Sequence, residues 1–154
     1  DAAARKWITL EKSNENIIVQ IQPTITIYNV LYLEDLINWW YSIKTVTSKD
    51  YSIIFNYATW PSYLNKFLLP KEYLNKLSKK YAEVSKKNTG ILDASLQLNM
   101  RRIITRLKDP SNVDSSLQEF YDYTKDLDSI RNQKFEEALP ELYEVVKPFV
   151  NPIT

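Results

Sequence analysis

The chain has no cysteine, no histidine and a single glycine. Without Cys there is no disulfide, no thiolate nucleophile and no cysteine-held metal or cluster. Without His there is no Ser-His-Asp triad and no imidazole metal ligand. With Gly90 as the sole glycine, neither a P-loop nor a Gly-rich dinucleotide turn can be built. Charge of one sign is also scarce. The 20 basic and 19 acidic residues leave a net +1, which argues against unspecific nucleic-acid binding. No apolar run reaches the ~18–20 residues of a membrane span, and Asp1 to Trp7 lacks a signal-peptide core. The expected setting is cytoplasmic, with no membrane partner and no nucleic acid. The first residue is Asp1 and the only methionine is Met100; the expectation is a chain that is processed, trimmed or a piece of something longer.

What is present suits one globular unit. The 154 residues are 44% hydrophobic, 25% charged and 13% aromatic, a folded balance rather than a disordered one. Residues 1–15 read as a short helix or arm around Trp7, Ile8 and Leu10. Ile17 to Gln22 is a β-branched run of strand length. It is apolar on both faces for most of its length, and Pro23 should end it, because Pro cannot donate to a central ladder. Asn29 then reads as a helix N-cap. Val30, Leu33, Leu36, Ile37, Trp40 and Ile43 follow at the three- and four-residue spacing of one helix face. Ser52 to Tyr57 is a second strand. Strand, helix and strand make a β-α-β unit with parallel strands. A long loop over 58–69 follows, where α/β folds build sites.

The rest reads as helical. Leu74, Leu77, Tyr81 and Val84 form a stripe after Pro70, and Asn88 with Gly90 should stop that helix. Leu92, Leu96, Met100, Ile103, Ile104 and Leu107 form the next. Ser115-Ser116-Leu117-Gln118 carries a capping-box pattern ahead of Phe120, Tyr121, Thr124 and Leu127. A last helix is broken or restarted at Pro140. Residues 1–90 are thus expected to hold the β-α-β-α part, and 91–154 a helical extension packed on it.

Two parallel strands leave ladder groups on their outer edges, and each unpaired buried amide costs about 1–3 kcal/mol. The expectation is that further strands stand beside Ile17–Gln22, supplied by an upstream segment or another chain. The alternative is a small mixed sheet in which Ile17–Gln22, Thr24–Tyr28 and Ile53–Tyr57 pair under the helices.

Three segments resemble one family. Gln20-Ile21-Gln22-Pro23-Thr24-Ile25-Thr26-Ile27-Tyr28-Asn29-Val30-Leu31-Tyr32-Leu33, with Leu36 and Trp39-Trp40, is similar to the late barrel of radical SAM proteins. These are the uncharacterised, often phage-encoded, twitch domain-containing type. Phe55-Asn56-Tyr57 through Trp60-Pro61-Ser62-Tyr63-Leu64 and Leu69-Pro70 is similar to the next strand and loop. Tyr123-Thr124-Lys125-Asp126-Leu127-Asp128-Ser129-Ile130-Arg131-Asn132-Gln133, with Phe135 and Leu139-Pro140-Glu141-Leu142, resembles the C-terminal signature. The match is patchy but colinear over most of residues 5–145.

The resemblance implies an α/β fold: the last β/α units of a partial TIM-like barrel, two parallel strands here, followed by a helical C-terminal region. It implies S-adenosylmethionine and a [4Fe–4S] iron-sulfur cluster in a parent protein, cleaved reductively to a 5′-deoxyadenosyl radical that abstracts hydrogen. The three-cysteine motif and any auxiliary-cluster cysteine are missing from this chain, which could only wall one side of the pocket. The partner implied is the N-terminal barrel segment, from the same gene or another chain.

Under the resemblance, Gln22 and Thr24 border the pocket at the carboxyl rim, and Asn56 and Tyr57 approach the nucleoside of the cofactor. Each also has a structural reading: Gln22 caps a strand end, Thr24 is a turn hydroxyl, and Asn56 needs partners for a buried amide. Trp60 and Tyr63 are substrate-contact candidates, with loop anchoring the plainer role. Trp39 and Trp40 cannot both face one core. Arg101, Arg102, Arg106 and Lys108 form a basic stripe, whose plainer reading is a solvated helix face rather than a phosphate site. Asp126, Asp128, Glu136 and Glu137 read as solvated carboxylates, with Arg131 the expected ion-pair partner. The competing function is a non-catalytic binding or structural module, such as a small phage accessory protein.

Overall fold

The computed structural model describes residues 2–44, 52–87, 94–110 and 115–151. The expected polar loop over 45–50, the helix stop at Asn88 and Gly90, and Leu92 lie outside the described residues. The described chain is mostly helical around one short parallel pair. Helix α1 spans Ala2–Ser13, strand β1 Thr24–Ile25, α2 Leu33–Ile43 and strand β2 Asn56–Tyr57. Two 3-10 turns, Ser62–Leu64 and Lys66–Leu68, lead into α3, Lys71–Lys87. Helices α4 (Ala94–Lys108), α5 (Leu117–Arg131), α6 (Phe135–Ala138) and α7 (Pro140–Val146) follow.

The strands run parallel, as the β-α-β reading expects. Thr24 stands opposite Asn56 and Ile25 opposite Tyr57, and an isolated parallel bridge joins Ile21 to Ile53. Pro23 does not end the ladder. It lacks a donor, but its carbonyl accepts the Asn56 N–H at 3.0 Å, between the Ile54 N–H on the Ile21 carbonyl and the Ala58 N–H on the Ile25 carbonyl, both 3.0 Å. Pro removes one rung and leaves the rest. The paired segment therefore lies further along the chain than the apolar run suggests, and Ile17 to Gln20 is not strand.

Nor is that run buried on both faces. Ile25, Ile27, Ile53 and Phe55 are in the core, while Gln20, Gln22, Thr24 and Asn56 are exposed and Ile18 is 67% exposed. This is the period-two alternation of a sheet with one covered and one open face.

The outer edges, where further strands are expected, are met in places by side chains of this chain. Asn99 on α4 donates from Nδ2 to the buried Ile53 carbonyl at 3.0 Å. Asn29 clasps the other edge: its Nδ2 donates to the Thr24 carbonyl and its Oδ1 accepts the Thr26 N–H, both 2.9 Å. Asn29 is thus a turn residue and not the N-cap of α2. That helix starts at Leu33 behind Tyr32, with no side-chain cap. An Asn side chain bonded to nearby backbone competes with helix formation in this way, and it holds Val30 and Leu31 in the core ahead of the helix.

The apolar stripes do what their spacing demands. Leu33, Ile37 and Trp40 of α2 are buried, as are Leu74, Leu77, Tyr81 and Val84 of α3. Leu96, Met100, Ile103 and Leu107 of α4, which packs on α3, have no exposed surface. Trp40 is fully buried and Trp39 only partly, so the pair divides as its adjacency requires. The Tyr81 hydroxyl donates to the Val30 carbonyl, tying α3 to the turn before α2. The capping box of α5 forms one residue later than the Ser115–Gln118 pattern, between Ser116 and Glu119, and Asn132 ends the helix in the left-handed region at φ 51°. Pro140 divides α6 from α7. One apolar cluster runs from Ile8 to Val146 and includes residues of both expected regions.

Candidate functional site at the carboxyl ends of the strands

The parallel pair brings the carboxyl ends of β1 and β2 together, the rim at which α/β folds bind ligands. Gln22, Thr24 and Asn56 share the open face, with Thr24 and Asn56 directly paired; Thr24 and Asn56 open their strands and Gln22 precedes β1, so the strip lies along the face and short of the carboxyl rim expected for Gln22 and Thr24. All three are exposed. Asn56 is therefore not the buried amide the sequence argument considers, and needs no protein partner. Gln20 lies on the same face and extends the polar strip.

Tyr57 does not join them. Alternation turns it to the other face, where its hydroxyl is buried with no hydrogen-bond partner. Two cations lie over its ring: the Lys66 Nζ and the Arg106 Cζ, each 4.6 Å from the centroid. Such placements are cation–π contacts. Burial pushes the Tyr57 hydroxyl above its ordinary value, against the opposite pull of Arg106 and then Arg102. It is a neutral donor at neutral pH.

The sequence does not mark Lys66. It sits in the second 3-10 turn, is 1% exposed, and also lies 4.0 Å over the Phe67 ring. Desolvation, then repulsion from Arg106, lowers its pKa to about 8. The signal available was a lone lysine in the apolar stretch Leu64 to Leu69. A lysine there more often carries its ammonium out to water, so the stretch alone does not mark it. The sign of the linkage is clear. An ordinary lysine titrates at 10.5, so the unfolded chain binds more protons between about 8 and 10.5, and this group makes the fold more stable as pH rises through that window. Lys66→Met should remove that rise and add on the order of 1–2 kcal/mol at pH 7, after allowance for solvent screening. Urea unfolding at pH 7 and pH 10 checks it; equal pH dependence in both proteins would refute it.

The two aromatic candidates in the loop separate. Trp60 is 85% exposed, and Tyr63 is half-buried with its ring 4.6 Å from that of Tyr123 on α5. Tyr63 anchors the loop, and Trp60 stands free of the core.

The segment from Tyr123 to Leu142 has a structural use. Tyr28, Thr124, Asp128, Arg131, Gln133 and Phe135 line part of a cavity of about 260 Å³. Tyr28 Oη and Thr124 Oγ1 are hydrogen-bonded at 2.7 Å. Asp128 accepts the Phe135 N–H at 2.8 Å, which joins the end of α5 to α6. Asp128 pairs with Lys125 at 3.3 Å, and Lys125 with Glu136 at 3.4 Å. The cation expected at Arg131 is therefore Lys125: one helical turn separates it from Asp128, whereas the Arg131 side chain is exposed.

Among the described residues, no group of three or more His, Cys, Asp or Glu could hold a metal ion, and no helix is long and apolar enough to cross a membrane. No family model matches the chain, and no curated protein or solved structure matches it.

Proposed function

We propose that this chain is the C-terminal portion of a radical S-adenosylmethionine enzyme, forming one wall of the cofactor and substrate pocket without ligating the cluster. The observation that carries the reading is the open face of the β-α-β unit. A barrel wall has an apolar outer face under helices and an inner face turned to the lumen. Here Gln22, Thr24 and Asn56 make a polar strip along the uncovered face of two parallel strands. Amides and hydroxyls in such a strip suit the ribose and amino-acid groups of S-adenosylmethionine. The fit to the cluster is different in kind: a chain without Cys cannot supply its ligands. Those belong to the missing N-terminal barrel segment of the parent, a cytoplasmic protein of the phage-encoded twitch type. The cluster and cofactor, when bound, supply the hydrogen-abstracting radical. This chain's residues bind, orient and exclude water.

The test is anaerobic iron and sulfide reconstitution of the parent reading frame. The expected product is coloured and releases 5′-deoxyadenosine from S-adenosylmethionine under a reductant. Asn56→Ala in that parent should weaken cofactor binding roughly tenfold, the effect of one lost hydrogen bond. A frame without a Cys-x3-Cys-x2-Cys motif upstream of Asp1, or an iron-free product, overturns the reading.

A second reading rests on the edges. Asn99 and Asn29 satisfy backbone groups that a neighbouring strand would otherwise meet. This favours a non-catalytic binding or structural module, which would melt cooperatively as residues 1–154 alone.

A further inference from the structure

Lys66, Arg102 and Arg106 form a cationic cluster with no carboxylate paired to it among the described residues. Arg102 and Arg106 lie one helical turn apart on α4 and are exposed. Lys66 is 1% exposed, and its ammonium stacks only on aromatic rings, 4.6 Å from Tyr57 and 4.0 Å from Phe67. None of the three cations makes an ion pair among the described residues. The charged groups that act on Tyr57 and Lys66 are all cationic. A neutral hydroxyl, that of Tyr57, is buried beside them with no acceptor.

Two things here are costly without a counterpart. A buried ammonium is normally paired, and a buried hydroxyl is normally hydrogen-bonded. The Arg106 guanidinium lies over the Tyr57 ring, 4.6 Å from its centroid, and acts on both groups. Other buried cations in this molecule are treated differently: Lys44 is equally hidden but meets Glu11 at 2.9 Å. A solvated stripe of arginines does not explain the lysine beneath it.

We propose that Tyr57, Lys66, Arg102 and Arg106 form a binding site for a phosphate group. Arginine forks match the oxygen geometry of phosphate. Three positive charges suit a dianion; one carboxylate would leave two of them unmatched. The exposed arginines supply the entrance, and Lys66 with the Tyr57 hydroxyl supplies the floor. The proposal does not depend on the radical reading, because the cluster lies on the helix-covered side of the sheet, away from Gln22, Thr24 and Asn56.

Isothermal titration of the full chain with inorganic phosphate and with glycerol 3-phosphate tests it, with acetate at matched ionic strength as control. Binding of phosphate and none of acetate is expected. Binding of both phosphates marks a site for a phosphate monoester; binding of the free ion alone marks a site for inorganic phosphate. Lys66→Met and Arg106→Gln should each weaken binding at least tenfold with the far-ultraviolet spectrum unchanged. Should Lys66→Met fail to fold, the exposed Arg102→Gln carries the same test. No heat with either phosphate, an equal response to acetate, or unchanged affinity in Arg102→Gln and Arg106→Gln overturns the site.

Discussion

Glu11→Ala is expected to destabilise the protein by about 3–5 kcal/mol, the usual consequence of removing one partner of a buried ion pair. The Glu11 Oε1 does two jobs. It meets the Lys44 Nζ at 2.9 Å and accepts the Val19 N–H at 2.8 Å. The Lys44 side chain is 1% exposed and that of Glu11 only 17%. Lys44 also donates to the Val19 carbonyl, and its Nζ lies 5.8 Å from the centre of the Trp40 ring. Removing the carboxylate leaves an ammonium in the core with only a carbonyl and a ring to face. It also frees α1, since Ile8 is the only residue of that helix in the core. The double variant Glu11→Leu with Lys44→Met should recover most of the loss, because apolar groups of similar volume replace a desolvated pair at little cost. Urea unfolding of the three proteins at neutral pH measures this. A loss below about 1 kcal/mol in Glu11→Ala, the range of surface pairs, would show that the pair is solvated.

Asn99→Leu is the second large effect, with an expected loss of about 1–3 kcal/mol. The Asn99 Nδ2 stands where the N–H of a third strand would stand, 3.0 Å from the Ile53 carbonyl, and the side chain is 5% exposed. Leucine keeps the volume and removes the donor, so the change reports the hydrogen bond rather than a cavity. The strand edge should loosen with it. Hydrogen exchange at Ile54 and Asn56, whose N–H groups bond across to Ile21 and Pro23, is expected to accelerate. Stability within about 0.5 kcal/mol of the parent value, the range of ordinary surface substitutions, would mean that the edge is satisfied in some other way.

The helices were legible because their information is local. The stripes Leu74–Leu77–Tyr81–Val84 and Leu96–Met100–Ile103–Leu107 repeat at helical spacing, and each is buried. The capping chemistry near Ser116 and the break at Pro140 are equally local. The parallel direction of the strands also followed from sequence, because a helix between two strands leaves a crossover as the simplest return. The extent of the strands did not follow. Ile17 to Gln22 has strong β propensity, but propensity reports a preference for a half-buried surface, and burial is settled by what packs there. Pro23 stays in the ladder because proline lacks a donor but keeps its carbonyl acceptor. Asn29 clasps a turn where a cap is expected, because helix caps and turn clasps use the same side-chain chemistry.

Of the site residues, Asn56 joins Gln22 and Thr24 only through the register, whereas Gln22 and Thr24 could be grouped in advance by alternation alone. Lys66 could not. Nothing local separates a lysine that reaches water from one that lies against the Tyr57 and Phe67 rings. By itself the sequence determined the helical segments, the capped start of α5 and the parallel sense of the pair, since each depends on contacts within a few residues or on chain connectivity. Only tertiary structure decided which sheet face stays open, which side chains close the edges and where Lys66 keeps its charge. Those depend on the distant partners Asn99, Glu11 and Arg106, which no neighbouring residue specifies.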